Sequence, residues 1–253
     1  CLLPFTLLSL ILIISTALRY NNDNSLNLLA AQFLKGHISL NPDNTLPVGD
    51  ISIYNGKFYM YFGPLASIIL MPFVAVFGIT FPQIFIGIFS LITSFYAIFA
   101  LSRKFLFSII DSLWLSLFFV FSTVLFSTSA INITSYLVEA LGVPLILLSF
   151  LAYFSKKKRP VLVGLLLGLA VLTRVTLILA ITFFIVEFLK KRLTKKELFT
   201  LFMPLIACCL LLAAYNYLRF DSFIETGYNH HIENPFPLSE NFAYGQTHLI
   251  HLP

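Results

Sequence analysis

Charge is what this sequence has least of: only 11% of its 253 residues are Asp, Glu, Lys or Arg, against about a quarter in ordinary soluble domains. With 58% of the residues hydrophobic, that scarcity excludes a water-soluble globular fold. Cysteine is nearly absent too. Two of the three, Cys208 and Cys209, are neighbours in an apolar run, where a disulfide between them is geometrically poor and a metal would lack further ligands, so both read as packing residues. A secretory signal does not account for the hydropathy, because a signal has one apolar stretch of about 7–15 residues, and here such stretches recur from residue 2 to residue 217. The solvent for this chain is a bilayer. The sequence opens on Cys1 and stops at "HLIHLP", and it reads as the N-terminal part of a longer chain. A lipid-modified Cys1 is the lesser reading, since the apolar run behind it resembles a spanning helix.

Crossing a bilayer takes about 20 predominantly apolar residues, and residues 2–18, 81–101, 109–130, 137–154 and 198–217 qualify. The stretch 64–78 is short and interrupted by proline, which predicts a re-entrant or interfacial helix. Residues 161–189 lie between "KKKR" (156–159) and "KKRLTKK" (190–196). Positive charge prefers the cytoplasmic side, so both clusters belong there and the segment between them crosses an even number of times. Its length, about 43 Å as a helix, suits a short hairpin with its tip near "LTR" and Arg174 recessed below the outer surface. With "SRK" (102–104) also inside, 11 of the 16 Lys and Arg are cytoplasmic and the N-terminus is cytoplasmic. The acidic residues Asp23, Asp43, Asp50, Glu139, Asp221, Glu225, Glu233 and Glu240 fall outside or at the outer boundary, with all five His. The net charge of +5 is thus a topology signal and not a nucleic-acid footprint. An all-α membrane protein with structured external loops at 19–63 and 218–253 is expected, the first loop carrying an amphipathic surface helix over 25–36.

Several residues carry chemistry. Asp23, in "RYNNDNS", could serve as a general base for an acceptor hydroxyl, but on spacing alone its residue type fits a solvated turn or helix cap better. The segment 49–65 offers Asp50, Lys57, Tyr59 and Tyr61, singly expected as belt and snorkelling residues, together a polar site against the bilayer. Glu139 and Arg174 are ionisable groups in or beside apolar helices, which marks a candidate functional site. Arg174 either holds the phosphate of a lipid-linked substrate or pairs with a carboxylate; Glu139 either lines the site or sits at headgroup level. For His230 and His231 a metal reading lacks a third ligand placed by spacing. "NIT" (132–134) fits a glycosylation sequon, a short pattern common by chance.

Three segments, "YNGKFYMYFGPLASIILMPFVAVFG" (54–78), "GLLLGLAVLTRVT" (164–176) and "YNYLRFDSFIETGYNHHIENPF" (215–236), resemble in order and spacing those of bacterial multi-pass glycosyltransferases of the GT-C superfamily, which includes protein O-mannosyltransferases and lipid A aminoarabinose transferases. The resemblance implies a GT-C-type transmembrane helical bundle over 1–253 in the inner cell membrane. It implies transfer of a sugar from a polyprenyl-phosphate donor to a glycan, lipid or protein acceptor on the periplasmic or extracellular face, with inversion. Asp23 matches the family's acidic catalytic position, and 63–78 its juxtamembrane helix. Arg174 matches its basic position, a donor phosphate contact that Lys57 assists, while Glu139 is displaced from the second acidic position. Arg219, Glu225 and Tyr228, in the third segment, join the candidate substrate contacts. Protein O-mannosyltransferases typically have an Asp-Glu pair where this chain has Asp23 and Asn24, which counts against a protein acceptor. No cofactor is implied with certainty, and a divalent cation is left open. A transporter or flippase of a lipid-linked substrate is the competing class, although no segment recurs as an internal repeat.

Overall fold

The computed structural model describes residues 23–40, 50–190 and 192–230. The expected span at 2–18, Cys1, Asp43, His231, Glu233 and Glu240 lie outside them. The described chain is mostly helical, with nine α-helices and one β-hairpin among those residues. The described residues divide into two compact units, one built from 23, 63–66, 82–190 and 192–211, the other from 24–40, 50–62, 67–81 and 212–230.

The first unit contains α3 (Phe85–Lys104), α4 (Ile109–Ser122), α5 (Val124–Ala130), α6 (Thr134–Tyr153), α7 (Pro160–Val171), α8 (Ile181–Leu189) and the first part of α9 (Lys195–Phe220). Helices α3, α6 and α9 are long and apolar enough to cross a membrane, with mean hydropathy of 2.0, 1.9 and 2.3. The stretch expected as one span over 109–130 is two helices bent by 60°. Thr123, in extended backbone, ends α4, and its hydroxyl accepts from the Leu125 amide to start α5. Over 161–189 the hairpin expectation becomes α7, a break at 172–174, a 3-10 turn (Val175–Ala180) and α8, so the "LTR" segment is indeed where the helix stops.

Small residues set the helix approaches. A Cβ on Gly87 would strike the Ser129 carbonyl, one on Gly164 the Leu201 carbonyl, and one on Gly168 the Cys208 side chain. Gly164 and Gly168 therefore form a small-xxx-small seam that lets α7 lie close on α9, the arrangement favoured where lipid supplies no hydrophobic drive between helices. Buried Ser90 and Ser102 return their hydroxyls to the carbonyls of Ile86 and Ile98, as a polar group in an apolar helix must.

One end of this unit gathers the basic residues. Lys104 Nζ donates to the Phe154 carbonyl (3.2 Å), and Lys158 pairs with Glu197 (2.8 Å) and donates to the Arg192 carbonyl (3.3 Å). The "SRK", "KKKR" and "KKRLTKK" stretches thus meet. Glu187, buried, accepts from Tyr153 Oη (2.7 Å) and lies 3.4 Å from Arg192. Thr194 and Glu197 form a reciprocal capping box that starts α9.

The second unit contains α1 (Ser25–Leu34), the antiparallel pair β1 (Ile51–Tyr54) and β2 (Lys57–Met60), most of α2 (Leu65–Phe77), the end of α9 and a 3-10 turn (Tyr228–His230). Asn55 and Gly56, both at positive φ (49° and 72°), make the two-residue turn of the hairpin, the role Asn-Gly fills best. This hairpin departs from the all-α expectation. Helix α1 buries Leu26, Leu28, Leu29 and Ala30, and Asn27, also buried, donates to the carbonyls of Ile79 and Phe81. The 13-residue α2, with Pro72 inside it, is too short for a full crossing, in keeping with the re-entrant or interfacial reading.

Candidate functional site

The end of the first unit away from its basic residues holds three of the expected site residues. Asp23 Oδ2 accepts from the Thr134 amide, and the Asp23 carbonyl accepts from Asn132 Nδ2 (3.0 Å). Thr134 opens α6, whose first amides have no partner within the helix. A carboxylate there is stabilised both by the hydrogen bond and by the positive end of the helix. Gln83 adds a 3.4 Å bond to the Thr134 hydroxyl. The capping alternative for Asp23 is therefore realised, on a helix more than a hundred residues further along the chain.

Five residues into α6, Glu139 pairs with Arg174 at 2.8 Å, their side chains 44% and 27% exposed. The carboxylate pairing weighed for Arg174 is what the structure contains. The exposure keeps both groups within reach of a ligand, and a guanidinium with five donors can hold a carboxylate and a phosphate oxygen together. Arg174 stands where α7 ends and the 3-10 turn begins, in extended backbone. The carbonyls that α7 leaves open at Leu172 and Thr173 accept from the amides of Leu65 and Gly63, both at 3.3 Å. A Cβ on Gly63 would collide with the Leu172 carbonyl, which explains the glycine of "FGPL". Two of the three resembling segments thus meet beside Arg174. Along α6, at 1.5 Å per residue, Asp23 and the Glu139–Arg174 pair lie about 8 Å apart, while the Phe154 end is about 30 Å from Thr134.

The other expected residues belong to the second unit and form their own cluster. Tyr61 Oη donates to Asp50 Oδ1, and the Tyr61 ring packs on Tyr228 (4.6 Å) and Phe62 (4.4 Å). Asp50 sits at positive φ (59°), a conformation that Asp tolerates better than most residues. Tyr59 is buried in edge-to-face contact with Phe220; burial pushes its hydroxyl pKa up, Asp221 adds to that and Arg219 opposes it. Glu225 accepts from the Gly227 amide (2.7 Å) and from Asn229 Nδ2 (2.5 Å). Burial alone would raise the Glu225 pKa, but Asn229, the Gly227 amide and nearby His230 together hold the carboxyl below its usual range. Gly227, at φ 101°, leaves no room for a Cβ against Phe220, Ser52 and Tyr61, and its carbonyl accepts from Ser52 Oγ (2.7 Å). The "ETGYNH" turn is thereby fastened to the hairpin, and His230 stacks on Phe220 and meets Tyr54 at a tilt.

Arg219 is placed differently from an open substrate contact. It is 2% exposed. Its guanidinium donates to the carbonyls of Met60 and Phe62 and to Asn216 Oδ1, and it lies 4.0 Å from the Tyr215 ring centre and 4.8 Å from that of Phe220. It grips the backbone on both sides of Tyr61, so it fixes where that hydroxyl points. Lys57 lies exposed at the hairpin tip. Sequence reasoning missed the hairpin, whose Asn-Gly was legible, and the Gly164–Gly168 seam. It also missed the hold of Arg219, for which sequence carries no signal. Among the described residues no three His, Cys, Asp or Glu gather as a metal site. The chain matches no protein-family model, no curated protein and no solved structure.

Proposed function

We propose that this protein is a membrane glycosyltransferase that moves a sugar from a polyprenyl-phosphate carrier to an acceptor hydroxyl on the non-cytoplasmic face. The observation that supports it most is the gathering of Asp23, Glu139 and Arg174 at one end of a helical unit whose other end collects the basic clusters. Cytoplasmic loops favour Lys and Arg, so the acidic-and-arginine end would face outward, and a cell-membrane location follows from the same reading. The GT-C resemblance adds the reaction class. The acceptor hydroxyl would give its proton to the Asp23 carboxylate as its oxygen bonds to the anomeric carbon. The bond from that carbon to the phosphate oxygen breaks, the electron pair leaves with the phosphate, and the anomeric configuration inverts. Arg174, oriented by Glu139, would answer the charge developing on the leaving phosphate; a preorganised cation of this kind often contributes more than the base. In the second unit, Tyr61, Asp50 and Tyr228 form a polar cluster of their own, and Lys57 lies at the hairpin tip.

The test is incubation of the purified full-length protein with a polyprenyl-phosphate sugar and a mixed glycan and lipid acceptor pool, followed by assay for free polyprenyl phosphate. Its appearance, dependent on acceptor, is the expected result. A transporter or flippase is the second reading, favoured by the helix breaks at Thr123 and 172–174, since interrupted helices line substrate paths in many transporters. That class would relocate the lipid-linked sugar intact and release no polyprenyl phosphate.

A further inference from the structure

The second unit contains a cavity of about 420 Å³ between the end of α1 and the tip of the hairpin. It is lined by Lys35, His37 and Lys57 with Gln32, Ser39 and Gly56, and no carboxylate is among its lining residues. Its two walls are joined by the Leu40 amide donating to the Phe58 carbonyl at 2.8 Å, so the cations come from two elements held in register and not from one flexible run. Collecting like charges around a cavity is unfavourable unless water or an anion answers them. The simplest alternative is a solvated surface, because Lys35, His37 and Lys57 are all exposed.

Three features favour a ligand over plain solvation. The polar side chains are donor-rich: two ammonium groups, an amide, a hydroxyl and an imidazole, which suits an oxyanion and not a metal ion. The end of α1 would normally repel an anion through its unanswered carbonyls. Here, however, the amides of Lys35, Gly36 and His37 already bond back to the carbonyls of Gln32 and Phe33. The volume also falls in the range of small-ligand sites, about 300–1,000 Å³, and Gly56 at positive φ leaves open space where a side chain would stand.

We infer that this cleft binds a phosphate-bearing ligand through Lys35, Lys57 and His37. The site shares Lys57 with the donor contacts that the resemblance implies but adds Lys35 and His37 from a second element. It is tested without turnover, so that its failure and that of the sugar-transfer reading are read separately. The purified full chain is placed in nanodiscs of neutral lipid and titrated with inorganic pyrophosphate, then titrated again in nanodiscs containing phosphatidylglycerol. Saturable binding that weakens with salt is expected. Lys35→Ala and Lys57→Ala should each weaken it at least about threefold, and the double variant more than about tenfold, the loss expected when exposed charges are removed one at a time. Lys196→Ala, an exposed lysine elsewhere, should leave it unchanged, and unshifted melting would show that the variants fold. If phosphatidylglycerol abolishes pyrophosphate binding, the source is a lipid headgroup; if binding persists, the source is a soluble phosphate ester. Absence of saturation in neutral nanodiscs, or a double variant that binds like wild type, overturns the assignment.

Discussion

Asp23→Asn separates the two things Asp23 can do. The Asn side chain keeps an oxygen that can accept from the Thr134 amide, so the cap on α6 survives while the charge and the basicity are removed. The energetic loss has two parts. A hydrogen bond to a charged acceptor is worth about 1 kcal/mol more than a neutral one, and a carboxylate at a helix N-terminus adds about 0.3–1 kcal/mol. Because Asp23 is only half-buried, the lower end applies, about 1 kcal/mol in all. Asp23→Ala loses the cap outright, about 1–2 kcal/mol. A general base, by contrast, contributes about 10²–10⁴-fold in rate. The assay pairs the initial rate of polyprenyl phosphate release in nanodiscs with a thermal melt of the same sample. Asp23→Asn should melt close to wild type and lose at least about a hundredfold in rate. A variant that melts normally and keeps more than about a tenth of the wild-type rate would refute the assignment of the base. If activity loss merely tracks melting across Asn and Ala, Asp23 is a cap and nothing more.

Arg219→Met should destabilise the second unit by about 3 kcal/mol, because the Met60 and Phe62 carbonyls lose their donor and the contacts with Tyr215 and Phe220 go with it. Faster proteolytic nicking near Asn55–Gly56 is the readout, and wild-type resistance there would discredit the hold. Gly168→Leu should force α7 off α9 at Cys208, costing about 1–3 kcal/mol by overpacking; an unchanged melting temperature in detergent would show that the seam is loose. For Glu225, whose pKa is depressed below the ordinary 4.5, the ionised form is the stabilising one. Its contribution is complete above that pH and is lost as pH falls through the lower folded-state value. Glu225→Gln should therefore flatten the acid limb of the stability profile below pH 4.5, and identical profiles for both proteins would contradict the shift.

Hydropathy alone located α3, α6 and α9, because a helix in lipid must be apolar along most of its length, and the shortness of 64–78 was visible for the same reason. The break at Thr123 was not, since one β-branched polar residue in a run of apolar ones changes the mean hydropathy very little while its hydroxyl starts a new helix. At the site, the residue types of Asp23, Glu139 and Arg174 were legible as ionisable groups out of place. Their partners were not: the Thr134 amide and the Glu139 carboxylate reach them through the packing of distant segments. Arg219 shows the same limit more sharply. In sequence it is one more basic residue at a helix end, and only the fold places Met60 and Phe62 carbonyls around it.

The closure of α7 by the amides of Gly63 and Leu65 has a consequence for assembly. The ribosome makes those amides long before it makes the carbonyls at 172 and 173, so the "FGPL" segment precedes its partners by more than a hundred residues. The end of α7, and with it the placement of Arg174, is completed only when this early strip of backbone meets its late partner. Inserting a single residue between 62 and 66 would shift which amide meets those carbonyls and so disturb the placement of Arg174.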